Sequence, residues 1–293
     1  MLSLFPSLDA GSPVNRSHPC NRGLVAWYLA GAAGHPSYFG GGRALDLCGR
    51  FHGTVTNATW DGPRGRRGGR GSLNFNGTSA RVEIGDAAPL DLGTGDVTIT
   101  CWVKLTGNDG SFRSFVTKYD EVDIAWAFQL CDATRSFAIG AGIEGSLLFN
   151  TRDQAIGYDA VAIDDDLWHH CGFGRRTINS DTTHDLWLDG KLVQTGTMTV
   201  QDLSGSAALW LGALAYTGGL QWTAGLIDDV RIQSAYVSIA EIYRESLLGY
   251  PSMLNRVRRG LLVNSAAAPP AGGGFKPYYD RGTIHVGRPL QVM

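Results

Sequence analysis

From about residue 24 to residue 235 the apolar positions fall in short runs cut by Gly, Asp and Asn, the pattern of strands joined by tight turns. The clearest run is 96–104, where Val97, Ile99, Cys101 and Val103 share one side and Thr98, Thr100, Trp102 and Lys104 the other. Alternation at a period of two predicts a half-buried strand in a two-layer fold. Near the end of this region, Leu186-Trp-Leu-Asp-Gly-Lys-Leu-Val193 carries Asp-Gly between two apolar runs, a hairpin signal. With Gly225-Leu-Ile-Asp-Asp-Val-Arg-Ile232 it reads as the closing strands of an antiparallel sandwich.

One segment breaks the pattern. Ser238-Ile-Ala-Glu241 has capping-box spacing, in which the hydroxyl and the carboxylate satisfy free N–H groups of a first helical turn. It predicts a helix to about Leu248, ended by Gly249 and Pro251. The Ser/Pro/Asn-rich residues 1–22 predict an N-terminal arm, and 23–250 a single β domain. Residues 251–293 hold a basic cluster (Arg256, Arg258, Arg259), an Ala/Pro/Gly linker and an extended piece containing Phe275, Tyr278, Tyr279, Ile284 and Val286. That piece reads either as an arm adding a strand to a neighbouring subunit or as a tail folding back on its own domain.

Composition narrows the class. The 293 residues are 43% hydrophobic with 8 Trp, enough for a large core, and 40 Gly against 18% charged residues suits an all-β chain. A net charge of −2 argues against a nucleic-acid or membrane-surface partner. The N-terminus lacks the basic and apolar regions of a secretory signal, so synthesis in the host cytoplasm is expected. The five Cys, an odd number without a Cys-x-x-Cys pair, predict small buried residues rather than a zinc site or a disulfide framework.

Seven segments occur in the order of a known family: Arg22-Gly-Leu-Val-Ala-Trp27, Asp46-Leu-Cys-Gly-Arg-Phe-His-Gly-Thr54, Gly71-Ser-Leu-Asn-Phe-Asn-Gly77, residues 97–104, Asp166-Leu-Trp-His-His170, Leu186-Trp-Leu-Asp-Gly190 and residues 225–233. The chain resembles the laminin-G-like jelly rolls of the concanavalin A-like lectin/glucanase superfamily. The resemblance implies a two-sheet antiparallel jelly-roll sandwich that binds carbohydrate or protein, or builds particle surfaces. The chain departs from the family pattern at Cys48 and Phe51. The opening His18 to Val25, with the helix and basic segment, is similar to versions encoded by phages.

Asp46 with Asp228 or Asp229 is the candidate calcium site, since hard oxygen ligands from separated loops suit that ion and family members sometimes hold a structural calcium there. No cofactor is otherwise required. Glu121 and Asp123 begin a glucanase-like signature, but Trp126 stands where the second carboxylate of a retaining pair would be. Trp168-His169-His170 reads as framework, with the Trp in the core and the two His at the surface, because adjacent strand residues point apart. Trp60, Trp126, Trp210 and Trp222 read as core before sugar platforms. The basic loop Arg64-Gly-Arg-Arg-Gly-Gly-Arg70 reads as solvated or as a salt-bridge loop to a neighbour.

The expectation is a non-catalytic structural and binding module on a virion or particle surface, partnered with copies of itself or a capsid or tail protein. The alternative is a lectin-like carbohydrate-binding module, with a glycoside hydrolase as a third reading.

Overall fold

The computed structural model describes residues 14–30, 42–61, 71–107, 112–119, 124–133, 135–178, 181–214, 221–248, 253, 279–280 and 283–284. The first strands are β1 (Leu24–Tyr28), β2 (Arg43–Ala44), β3 (Gly53–Thr56), β4 (Thr59–Asp61), β5 (Ser72–Asn76), β6 (Arg81–Ile84) and β7 (Val97–Thr106). There follow β8 (Ser114–Tyr119), β9 (Ile124–Leu130), β10 (Arg135–Ser136), β11 (Ala141–Gly142), β12 (Ser146–Thr151), β13 (Ala155–Ala162) and β14 (Asp165–Ile178). Then come β15 (Asp181–Leu188), β16 (Lys191–Thr197), β17 (Leu209–Leu211), β18 (Ala213–Leu214), β19 (Gln221–Trp222), β20 (Ala224–Gln233) and the helix α1 (Ile239–Leu248).

Two antiparallel sheets of eight strands form a jelly-roll-like sandwich. The first runs β16-β15-β14-β7-β20-β5-β4, and the second β13-β12-β9-β8-β17-β6-β3-β2. One edge of β20 is divided: β5 pairs with its first half and β1 with its second, so Val230 faces Tyr28 and Gln233 faces Leu24. Between the two halves Asp229 has φ 56 and the register against β7 shifts, a β-bulge. Ile227 before the bulge and Val230 and Ile232 after it all face the core.

Alternate residues of both sheets fill the space between them, and the rings of Phe149 and Phe173 stack across it with centroids 3.5 Å apart. The Asp189-Gly190 turn has positive φ at both central residues (50 and 76), as a two-residue hairpin requires. All five cysteines are buried, as small apolar residues in a core would be.

A third layer covers the outer face of the first sheet. Consequently β7, expected to be half-buried, is buried on both faces. The cover supplies partners for part of its polar side: Thr98 Oγ1 donates to Ala235 O (2.8 Å) and accepts from Val237 N (3.0 Å). Trp102 Nε1 donates to Ser246 Oγ of α1 (3.1 Å), and its ring lies against Tyr243 and His170. The helix begins where the capping-box spacing places it, with Glu241 N donating to Ser238 Oγ (3.2 Å).

The arm expected over 1–22 is corrected for its described part. Residues 14–22 pack on the sandwich through a 3-10 turn at Pro19–Asn21, and Arg231 of β20 donates to Cys20 O (2.9 Å) and Asn21 Oδ1 (2.7 Å). A buried guanidinium needs such acceptors, and the turn supplies two of them, both to Nη2, while the group lies 4.2 Å over the Trp27 ring. Val14, Cys20, Leu24, Trp27, Val237, Ile242 and Met253 form a second apolar cluster there. Met253 is fully buried and accepts from Asn15 N and Asn21 Nδ2, so the domain extends past its expected end at 250.

Residues 1–256 form one compact unit and 257–293 a second. Within the second, β21 (Tyr279–Asp280) pairs with β22 (Thr283–Ile284) as a local hairpin. Phe275, Tyr278 and Val286 lie outside the described residues.

Candidate functional site

Asp46, Asp228 and Asp229 each bond the β1 segment, at Trp27 N, Ala30 N and Trp27 Nε1 respectively. Asp46 Oδ1 accepts from Trp27 N and Cys48 N (both 2.9 Å), and Oδ2 accepts from Arg50 N and Phe51 N (both 3.1 Å). Those four N–H groups occupy the carboxylate's four lone-pair directions. Asp228 Oδ1 accepts from Ala30 N (2.8 Å), and Asp229 Oδ1 from Trp27 Nε1 (2.7 Å). Calcium needs six to eight oxygens turned toward it, and here the carboxylates are turned toward N–H donors. The donor set therefore does not fit the ion; it clips β1 to β20 and shapes the turn after β2. Among the described residues no group of three His, Cys, Asp or Glu side chains is placed to hold a metal.

The histidine pair is split differently from expectation. His169 is half-buried between Asp189 Oδ2 (2.9 Å) and Asp165 Oδ1 (3.2 Å). Burial disfavours its charged form, yet the two carboxylates together hold its pKa above the ordinary value, and Asp189 sits below its own. His170, expected at the surface, is fully buried because α1 covers that face, while Trp168, expected in the core, is half-buried. Trp126 is core; Trp60, Trp210 and Trp222 are half-buried, with the Arg81 guanidinium 5.1 Å above Trp210. Glu121, Asp123 and the Arg64 to Arg70 loop lie outside the described residues.

The site that residue patterns missed is on the outer face of the second sheet. After β9 the chain, over the described residues 131–133 and 135–145, leaves the sheet and runs back along its β13 edge, where Ile139 bridges Ile156 and Phe137 reaches over the outer face at Gly157. Backbone bonds hold it, from Cys131 N to Ser146 O (2.8 Å), Ile139 N to Ala155 O (3.2 Å) and Gly157 N to Ile139 O (3.1 Å). Phe137, carried by this excursion, lies on a floor that only glycine allows. A Cβ at Gly157 would sit 2.5 Å from its ring, and one at Gly142 2.7 Å away.

Beside Phe137 opens a cleft of about 380 Å³, within the range of small-ligand sites. Leu147 and Phe149 of β12 face the core, so Leu148 and Asn150 face outward into the cleft with Gln129 of β9. Phe112 and Phe137 are half-buried in its walls. A tight turn supplies the remaining polar groups: Thr151 Oγ1 donates to Gln154 O (3.0 Å), which fixes Gln154 and the carboxylate of Asp153 at the rim. Gln129 Oε1 accepts from Ser114 Oγ (3.2 Å). Asn150 Oδ1 and Gln154 Oε1 are covered by protein and accept no hydrogen bond. A buried acceptor without a partner costs about 1–3 kcal/mol, so these two amides at the cleft wall hold acceptor capacity that a small shift of their side chains would turn to a donor in the cleft.

Two antiparallel sheets packed face to face, with a third layer over one of them, define a jelly-roll sandwich of the concanavalin A-like class. The chain belongs to the laminin-G-like family Laminin_G_3 of the concanavalin A-like lectin/glucanases superfamily, whose model matches residues 76–243. Domains of this family generally serve as binding modules. No curated protein matches the chain in sequence.

Among solved structures, the binding domain of Paraclostridial Mosquitocidal Protein 1 superposes with a TM-score of 0.54 at 13% identity, over 76% of this chain and 51% of that one. The chain thus spans about half the length of that relative. Domain 4 of the extracellular arabinanase AbnA from Geobacillus stearothermophilus, solved with arabinotriose, gives 0.50 at 17% identity over 75% of this chain and 97% of that one. The binding domain of botulinum neurotoxin DC, solved with SialylT, gives 0.50 at 12% identity over 78% and 52%. These likenesses establish the fold.

Proposed function

We propose that this protein is a non-catalytic carbohydrate-binding module whose glycan site is the cleft beside Phe137. The observation that carries the reading is the pair of covered, unpartnered amide oxygens on Asn150 and Gln154 beside two half-buried Phe rings. Sugar hydroxyls supply the missing donors, and the C–H face of a pyranose or furanose packs on an aromatic ring. The solved neighbours holding arabinotriose and SialylT support glycan as the ligand class. Asp153 is the one carboxylate among the described lining residues, whereas glycoside hydrolysis by either common route uses two.

The test is isothermal titration of the full chain with a panel of neutral and sialylated oligosaccharides, repeated on an Asn150→Ala/Gln154→Ala double variant. Expected is binding by at least one oligosaccharide, weakened tenfold or more in the double variant. Undiminished binding would move the site elsewhere. A virion-surface setting is carried forward as a proposal about location: the opening His18 to Val25 supports it as a likeness to phage-encoded versions. In the fold that opening also has a structural role, since His18 Nδ1 accepts from Cys20 N (3.2 Å) at the head of the 3-10 turn.

A further inference from the structure

The third layer leaves a second cleft, on the outward face of the opposite sheet. It measures about 370 Å³ and lies between the Pro19–Asn21 turn and the first turn of α1. Leu186 and Leu188 of β15 point into the core, so Trp187 points outward into this cleft. Tyr236 lies directly over Gly174 of β14, where a Cβ would come within 2.7 Å of its ring, and its hydroxyl is anchored on Asp185 Oδ2 (2.7 Å). The aromatic wall is therefore fixed by packing and by a hydrogen bond before any ligand arrives.

The polar groups are of both kinds. Trp187 Nε1 is covered by protein and supports the Tyr236 hydroxyl, so the indole contributes its ring to the wall. Arg22 spends one guanidinium nitrogen on Tyr236 O (2.7 Å), leaving other donors for the cleft. Glu241 has its backbone N–H capped by Ser238 Oγ, and its carboxylate is an acceptor at the cleft wall. Cys20, beside that carboxylate, has a thiol pushed up to about 12, first by burial and then by Glu241, so it stays neutral. Glu241 is then the cleft's anion and Arg22 its cation. A ligand satisfying guanidinium donors, a carboxylate acceptor and an aromatic wall needs hydroxyls that both give and accept hydrogen bonds, together with an apolar face.

We propose that this cleft is a second glycan site, formed by Trp187, Tyr236, Arg22 and Glu241, so that one module holds two oligosaccharides on opposite faces of the sandwich. The choice of ligand class rests on the glycan reading of the first cleft; the second site itself stands on its own residues.

The experiment is isothermal titration of the full chain with arabinotriose, cellotriose and a sialylated trisaccharide, read for stoichiometry in three proteins: the native chain, Asn150→Ala/Gln154→Ala, and Arg22→Met/Glu241→Gln. The last pair removes both charges while keeping side-chain size, and thermal melts check that each variant folds. The proposal expects two equivalents per native chain and one in each variant, with affinity lowered tenfold or more at the altered cleft. A single equivalent abolished by Asn150→Ala/Gln154→Ala alone would overturn the second site and leave the first. One abolished only by Arg22→Met/Glu241→Gln would support this site and overturn the first. No binding of any of the three sugars by the folded native chain would overturn both.

Discussion

His184 makes a quantitative test of the core. It sits on β15 opposite Arg175, is 2% exposed, and has its pKa lowered from 6.5 to about 4, chiefly by burial and secondly by the Arg175 charge. In the unfolded chain it takes up a proton near pH 6.5; in the folded chain it resists until about pH 4. Between those values the unfolded state binds more protons, so stability falls as pH falls through this window and levels off below it. The full difference corresponds to about 3 kcal/mol, of which about 2.5 kcal/mol is lost by pH 4.5. Replacing His184 with Gln keeps a planar polar side chain and removes the titration. Urea unfolding followed by Trp fluorescence, at pH 7.5 and pH 4.5, measures the loss in each protein. Carboxylates such as Asp189 and Asp202, whose pKa values lie below the ordinary one, destabilise both proteins on acidification, so the difference between the two losses isolates His184. Equal losses in native chain and variant would refute the argument that this imidazole is kept neutral by burial.

Phe149→Ala removes one ring of the stacked pair that spans the two sheets and leaves a cavity against Phe173, with an expected loss of about 3–5 kcal/mol in the same urea assay. A loss below about 1 kcal/mol would mean the core collapses around the gap. Calcium at millimolar concentration, compared with a chelator, is expected to leave the melting temperature unchanged within about 1 °C, because a ligand that binds the folded state raises it by mass action. A rise of several degrees would show that carboxylates such as Asp46 turn toward an ion after all.

Much of the fold can be read from side-chain chemistry that acts locally. The alternation of residues 97–103, the Asp189-Gly190 turn and the Ser238 cap each need only neighbours within a few positions, and each is found in place. What reads wrongly depends on groups that arrive from far along the chain. Thr98 and Thr100 look solvent-facing until the segment after β20 is laid over them. Asp46 looks like an oxygen ligand because the sequence cannot show four backbone N–H groups converging on one carboxylate. His170 is buried by a helix that begins some seventy positions later. The clefts were illegible for the same reason: Gln129, Phe137, Asn150 and Gln154 meet only because residues 131–145 double back, and the clue in the sequence, the glycines that seat Phe137, resembles ordinary turn punctuation.

The divided edge of β20 also constrains how the protein is made. β1 leaves the ribosome well before its hydrogen-bonding partner, which runs from Val230 to Gln233, some two hundred residues later. Until that stretch emerges, β1 has no strand beside it, and β7, in the middle of the first sheet, lacks its neighbour β20. Closing so long a loop is slow relative to local pairing, and unpaired apolar strands are the usual nuclei of aggregation. A nascent chain stalled before residue 224 would display two sticky edges at once, so the yield of native protein depends on prompt completion of synthesis or on a chaperone that shelters β1 and β7 until β20 arrives.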